Sequence, residues 1–291
     1  MSTVALTVAG SDPSGGAGVQ ADLATFGALG AYGTAVLTAL TAQSTAGVAG
    51  IHVVPPDFVA QQLETLLDDV EVHAAKTGML ATAEVVGAVA DVLGRRPVQH
   101  LVVDPVMVAT SGDRLLPEDA VEAVRDRMLP LADLLTPNLP EAAVLLGTDV
   151  AGSAAAMEEQ ARGLQELGAG AVLLKGGHAA PGPDGGGDVL DVLVDADGSA
   201  HHLLSPRLRS RSTHGTGCVL AAACAALRPQ RPSWLTAVEG ARRHLARAIA
   251  EGERLGVGRA ARAGRGHGPV HHHAGWWDAE TGAPLVGAGA P

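Results

Sequence analysis

Short runs of β-branched residues alternate along this chain with longer Ala- and Leu-rich stretches, and the two spacings separate strands from helices. Residues 3–9 (TVALTVA), 34–40, 72–78, 100–107, 131–137 and 171–177 read as strands, most of them apolar on both faces, which predicts burial. Between them, 18–31, 56–70, 81–94, 117–128, 138–147 and 153–168 read as helices. In 56–70 the apolar positions Phe58, Leu63, Leu66, Leu67 and Val70 recur at near-helical spacing. Residues 188–204 centre on an Asp-Gly pair and predict a hairpin, followed by helices at 216–227 and 234–254. Strands alternating with helices predict an α/β fold with a mostly parallel sheet covered on both faces. No internal repeat is visible, and residues 1–277 are expected to form a single domain. Residues 258–270 are rich in Gly and Arg, and 278–291 (DAETGAPLVGAGAP) are expected to be a flexible tail.

Composition sharpens this picture. The chain of 291 residues is 47% hydrophobic with only six aromatic residues, so its core must be built from Ala, Val and Leu. The net charge of −11 and the lack of any long basic run argue against nucleic acid or an anionic membrane as partner. No apolar stretch reaches the length of a transmembrane helix, and the N-terminus lacks the pattern of a signal peptide. The two cysteines, Cys218 and Cys224, lie six apart on one predicted helix, a spacing that suits neither a disulfide nor zinc. A reduced, cytoplasmic enzyme is expected. Eighteen of the twenty basic residues are Arg, leaving only Lys76 and Lys175, and Asn138 is the one asparagine. Positions that keep Lys or Asn in such a chain are candidates for needing an ammonium or an amide. All three fall beside glycines or prolines at predicted strand ends, where ligands bind in parallel α/β sheets.

The motifs at those ends carry chemistry. AGSDPSGGAGVQADL (9–23) joins the first strand to the first helix, but Asp12 and Asp22 flank its glycines and would repel a pyrophosphate. Gln43, in LTAQSTAGV, offers a donor and an acceptor side by side, although a lone glutamine in a turn has a plain structural reading. DPVMVATSGD begins with Asp104, and TPNLPEA contains Asn138 and Glu141. Asn-x-x-Glu fits a capping box and a carboxylate beside a magnesium–water cluster equally well. In LLKGGH, Lys175 sits among glycines, an arrangement that favours phosphate. In THGTGC, Gly215, Thr216, Gly217 and Cys218 place successive N–H groups at a helix start, an anion site. The same helix dipole is expected to lower the thiol pKa of Cys218.

Together with KTGML (76–80) and GHGPVHHH (266–273), these motifs occur in an order similar to that of bacterial hydroxymethylpyrimidine/phosphomethylpyrimidine kinases of thiamine biosynthesis. The resemblance spans residues 3–277. It implies a ribokinase-like fold, use of ATP and Mg2+, and two phosphorylations of 4-amino-5-hydroxymethyl-2-methylpyrimidine. It further implies that Gln43 pairs with the ring and that Gly10, Asp22, Met79 and Val106 surround it. Lys175 and the hole of Gly215, Thr216, Gly217 and Cys218 would take the transferred group and the ATP phosphates. Asn138 and Thr213 would join the ATP-binding set, and Asp104 and Glu141 would face magnesium. A homodimer is expected on the same ground. Ser44 and Ser212 stand where the family pattern has Asn, and Thr110 where Lys is frequent, so ligand contacts from these serines are not expected. A pyridoxal-type kinase of the same fold is the first alternative. A dinucleotide-dependent oxidoreductase is disfavoured by the acidic glycine loop, and a non-catalytic sensor by the complete phosphate and metal set. The three-histidine run 271–273 reads as a solvated turn.

Overall fold

The computed structural model describes residues 2–107, 115–178 and 187–276. Among the described residues, nine strands form one sheet in the order β3-β2-β1-β4-β5-β6-β7-β8-β9. These are β1 (Thr3–Ser11), β2 (Ala31–Ser44), β3 (Gly47–Val53), β4 (Ala74–Thr77), β5 (Leu101–Val103), β6 (Leu134–Leu135), β7 (Ala171–Leu174), β8 (Asp188–Val194) and β9 (Ala200–Pro206). The six strands from β2 to β7 in space pair in parallel, and β3, β8 and β9 add antiparallel edges. The central strands are apolar on both faces because helices cover both. One layer comprises α2 (Pro56–Asp69), α3 (Ala83–Arg95), α4 (Glu118–Ala123), α5 (Leu139–Leu146) and α6 (Ala154–Glu166). The other comprises α1 (Gly18–Ala28), α7 (Thr216–Leu227) and α8 (Trp234–Gly252).

Helix α7 explains how so few aromatics suffice. Every residue from Val219 to Leu227 is buried, and most are Ala. A helix apolar all round belongs in the interior, and small side chains let it lie close to the sheet, α1 and α8 together.

Departures from the sequence expectation have local causes. Residues 47–53 form an edge strand that was not expected, because GVAGIHV lacks an alternating buried face; backbone pairing to β2 defines it. Strand β5 ends at Val103 because Pro105 cannot continue a ladder. The helix expected over 117–128 loosens into a π turn at Val124–Met128, just before Pro130. The 271–273 run is not a solvated turn. His271 is buried, and burial, the largest cause, pushes both His272 and its neighbour His244 down to about 4. No helix among the described residues is long and apolar enough to cross a membrane. Thr110 and the 278–291 tail lie outside the described residues.

Candidate active site

The sheet order reverses beside β1, whose neighbours are β2 on one side and β4 on the other, and ligand crevices open at such points beyond the carboxyl ends of strands. Here a cavity of about 750 Å³ lies over the ends of β1, β4, β5 and β7 and the start of α7. Each candidate residue arrives there by a short route. Gly10 ends β1, Lys76 sits in β4, Asp104 follows β5, Asn138 caps α5 and Lys175 follows β7.

Two glycine-dependent turns shape the phosphate end. Gly215 adopts a left-handed φ of 81° as the N-cap of α7, and a Cβ there would collide with the Gly16 carbonyl. Gly18, with φ 61°, starts α1 where a Cβ would strike the Gly10 carbonyl. The starts of α1 and α7 therefore face each other, each presenting N–H groups that helix geometry leaves without intrahelical partners. Gly217 keeps the floor open: a Cβ would stand 3.6 Å from Lys175 Nζ and 3.7 Å from Asp104 Oδ2.

Charges around this floor are paired. Lys175 Nζ donates to Asp104 Oδ1 at 2.9 Å, and Thr136 Oγ1 donates to the same oxygen at 3.0 Å. Burial works against the Lys175 ammonium, but Asp104 and Glu141 outweigh it and hold its pKa above the ordinary value. Asn138 and Glu141 form a complete capping box: Asn138 Oδ1 accepts from the Glu141 amide at 2.9 Å and Glu141 Oε2 from the Asn138 amide at 2.8 Å. Burial, reinforced by the nearby Asp104 carboxylate and opposed by Lys175, raises Glu141 to about 7. Capping and a place in the cavity wall thus hold together for Glu141.

Gly10, Gln43, Met79 and Val106 also line the cavity. A Cβ on Gly10 would stand 2.5 Å from Met79 Cε, so the glycine admits the methionine into the cavity wall. Thr41 Oγ1 lies 3.1 Å from Gln43 Oε1 and steadies the amide. Thr213 and all of Gly215–Cys218 join the wall.

Two expectations fail. Asp22 does not line the cavity. It is fully buried, takes both oxygens to Lys76 Nζ at 2.9 and 3.1 Å, and accepts from Thr7 Oγ1 at 2.6 Å. Burial disfavours the Lys76 charge, but Asp22 overrides it and keeps the lysine protonated, its pKa above the ordinary value. A lysine this deep needs a counter-charge, and Asp22 supplies it. Nor does Cys218 carry a lowered pKa: burial, the largest cause, pushes its thiol up, although Lys76 pulls the other way. Desolvation exceeds the pull of the helix start. Cys224 is buried in the core, with its thiol pushed up to about 12. Ser44 Oγ accepts from the Ala46 amide, and Ser212 is buried.

Sequence reasoning missed the Asp12–His214 pair. Asp12 Oδ2 lies 2.8 Å from His214 Nε2 and accepts from the Ala17 amide at 2.9 Å, while Oδ1 accepts from Ser14. Burial alone would raise Asp12, but His214 and Ser14 hold it below its ordinary value. This carboxylate ties the first glycine loop to the second instead of repelling a ligand. The histidine inside THGTGC was the available signal. An apolar flank from Val189, Leu208, Leu245 and Ile249 was also missed, because none stands in a motif.

A family profile described as phosphomethylpyrimidine kinase matches residues 12–271. The chain belongs to this family. It is 48% identical over 273 residues to the hydroxymethylpyrimidine/phosphomethylpyrimidine kinase of Escherichia coli K12, covering 94% of this chain and 98% of that one. It is also 48% identical over 267 residues to the thiamine biosynthesis bifunctional protein ThiED of Geobacter sulfurreducens, covering 92% of this chain and 51% of that protein. Among solved structures, pyridoxal kinase from Staphylococcus aureus in complex with AMP-PCP superposes with TM-score 0.81 at 34% identity, covering 94% of each chain. Phosphomethylpyrimidine kinase from Clostridium difficile 630 superposes with TM-score 0.73 at 34% identity, over 85% of this chain and 99% of that one. The fold is ribokinase-like, as the sequence resemblance implied.

Among the described residues no three His, Cys, Asp or Glu side chains converge as a metal cage. Magnesium does not need one, since it commonly uses one or two carboxylates and takes its other oxygens from phosphates and water. Asp104 and Glu141 could supply those carboxylates; burial first, and then the Asp104 charge, raises Glu141, and a cation there would offset both.

Proposed function

We infer that this chain is an ATP-dependent kinase of hydroxymethylpyrimidine and phosphomethylpyrimidine in thiamine biosynthesis, phosphorylating the alcohol and then the resulting monophosphate. The observation that carries the reading is one cavity holding both a fixed amide over an apolar seat and a lysine facing a glycine-built anion hole. The family's descriptions supply the substrate class.

Gln43 orients the pyrimidine by pairing with its exocyclic amine and ring nitrogen, and Gly10, Met79 and Val106 pack around the ring. Bound Mg-ATP supplies the phosphoryl group. Lys175 and the N–H groups of Gly215, Thr216, Gly217 and Cys218 hold the charge on the transferred group, which is most of what phosphoryl transfer asks of a protein. Asn138 and Thr213 position the nucleotide phosphates, and Asp104 and Glu141 face the magnesium shell. Cys218, neutral with its raised pKa, fills the hole as a small hydrogen-bonding group and does not act as a resting thiolate base. The apolar flank of Leu208, Leu245 and Ile249 suits a planar base.

A single domain over residues 1–277 for this activity is supported by the joining of every described strand in one sheet. A homodimer fits the β2–β3 hairpin, an edge with Leu40 and Ile51 exposed and no charged side chain along β3. ATP use and two unpaired thiols suit the cytoplasm.

A second reading, pyridoxal phosphorylation, has the S. aureus structures behind it at 34–35% identity. The higher identity to pyrimidine kinases favours the first. A phosphate-transfer assay with Mg-ATP on hydroxymethylpyrimidine, its monophosphate and pyridoxal decides. Diphosphate formed from the free alcohol is expected, and turnover of pyridoxal alone would reverse the order.

A further inference from the structure

Residues 258–269, which run from the glycine- and arginine-rich stretch into GHGP, do not line the cavity, yet their contacts fall on both halves of the site. We propose that residues 258–269 form a strap that couples the hairpin carrying Gln43 to the phosphate-binding loop, with His267 as the positioning residue.

One side of the strap rests on the turn between β2 and β3. The His267 amide donates to the Thr45 carbonyl at 3.2 Å. Gly258 and Gly266 hold left-handed φ values of 90° and 106° against the same residue; a Cβ at Gly258 would collide with the Thr45 side chain, and one at Gly266 with its carbonyl. Thr45 stands two residues from Gln43. The other side rests on the loop that leads into α7. The Gly268 amide donates to the Arg211 carbonyl at 3.0 Å, and the His214 amide to the Gly268 carbonyl at 3.0 Å. His267 Nδ1 lies 2.9 Å from Thr213 Oγ1. Thr213 and His214 both line the cavity, immediately before Gly215.

His267 takes part in both tethers: its backbone holds the hairpin, and its ring holds Thr213 beside the backbone bonds that Gly268 makes to the phosphate loop. Apolar burial fixes the strap at Ala261 and Pro269, while Arg259, Arg262, Arg265 and His267 are exposed. Segments with few buried contacts and several hydrogen bonds near solvent are the ones that shift with ligation. A ligand that orders one end seats the strap and lowers the ordering cost at the other, which is positive coupling without direct contact between ligands. Linkage makes it reciprocal: nucleotide tightens the pyrimidine by the factor by which pyrimidine tightens nucleotide.

The coupling rests on Gln43 marking the pyrimidine end, and the experiment separates the two claims. Calorimetry on the full chain measures the Kd of 4-amino-5-hydroxymethyl-2-methylpyrimidine alone and with saturating AMP-PCP. The native chain should bind the pyrimidine about fivefold or more tightly with nucleotide present. His267→Ala should leave each single-ligand Kd within about twofold but lower the ratio, because it cuts the ring's link to Thr213 and leaves the backbone links in place. His267→Asn, whose Oδ1 can take the Thr213 hydroxyl, should restore most of the ratio. Gln43→Ala should weaken the pyrimidine in both conditions and leave the ratio in place; its silence would overturn the pyrimidine site, not the strap. A native ratio of one, or an undiminished ratio in His267→Ala, would overturn the strap.

Discussion

The two lysines of this chain sit in nearly the same chemistry and do different things. Lys76 pairs with Asp22 and Lys175 with Asp104, each at 2.9 Å, and each aspartate also accepts a threonine hydroxyl, from Thr7 and Thr136 respectively. The difference is access. The Lys76 and Asp22 side chains are both 0% exposed, whereas Lys175 is 13% exposed and faces the anion hole. The first pair joins α1 to β4 at the cavity wall with neither side chain exposed, and the second leaves part of its lysine open to the cavity. An ion pair that satisfies itself in the dark holds structure; one with a face left toward a cavity can trade its partner for a phosphate.

Removing one partner of the closed pair should have the largest effect. Asp22→Ala leaves the Lys76 ammonium uncompensated in the core and should cost about 3–5 kcal/mol in urea unfolding. Asp104→Ala should cost clearly less, because Lys175 can turn toward solvent. Equal losses would erase the distinction between the pairs.

Next comes Gln43→Ala, expected to raise the pyrimidine KM by the equivalent of about 1–3 kcal/mol through unpaired ring groups, with stability unchanged at this half-buried position of β2. An unaltered KM would place the ring elsewhere.

Cys218 lies within the fields of both lysine–aspartate pairs and reports on them. With its thiol pushed up by burial, iodoacetamide should modify it slowly near pH 7.5 and faster only as pH climbs above the ordinary thiol range. Lys76→Met, by removing the largest opposing influence, should slow it further. Rapid alkylation at neutral pH would show a thiolate. Cys224 should stay silent throughout.

The smallest effect is expected for Glu141→Gln on stability, within about 1 kcal/mol, since Gln serves a capping box. Its activity should still fall if the carboxylate faces magnesium, and an unchanged rate would leave Glu141 as a cap alone.

Much of this was legible in the sequence. Strand and helix order followed from the switch between β-branched and Ala-Leu runs, and helix 216–227 was placed at its observed bounds because a glycine turn precedes an unbroken apolar stretch. The scarcity of Lys and Asn singled out Lys76, Asn138 and Lys175, and all three border one cavity. Composition could not say which lysine is closed off, because that depends on Asp22 approaching from another element. The Asp12–His214 pair joins residues 202 apart in sequence, beyond any local pattern. The β3 edge was hidden because its stability lies in backbone pairing, and the Cys218 shift because burial, not sequence position, sets the larger influence.

The central claim, that Lys175 serves the transferred phosphate while Lys76 serves the fold, is tested most directly by Lys175→Met, measured for kcat and for urea midpoint in the same preparation. The account predicts a kcat lower by about 10²–10³-fold, the scale of losing a principal charge-stabilising donor, with the midpoint close to that of the native chain. A kcat within about threefold of native, or a collapse in stability like that of Asp22→Ala, would contradict it.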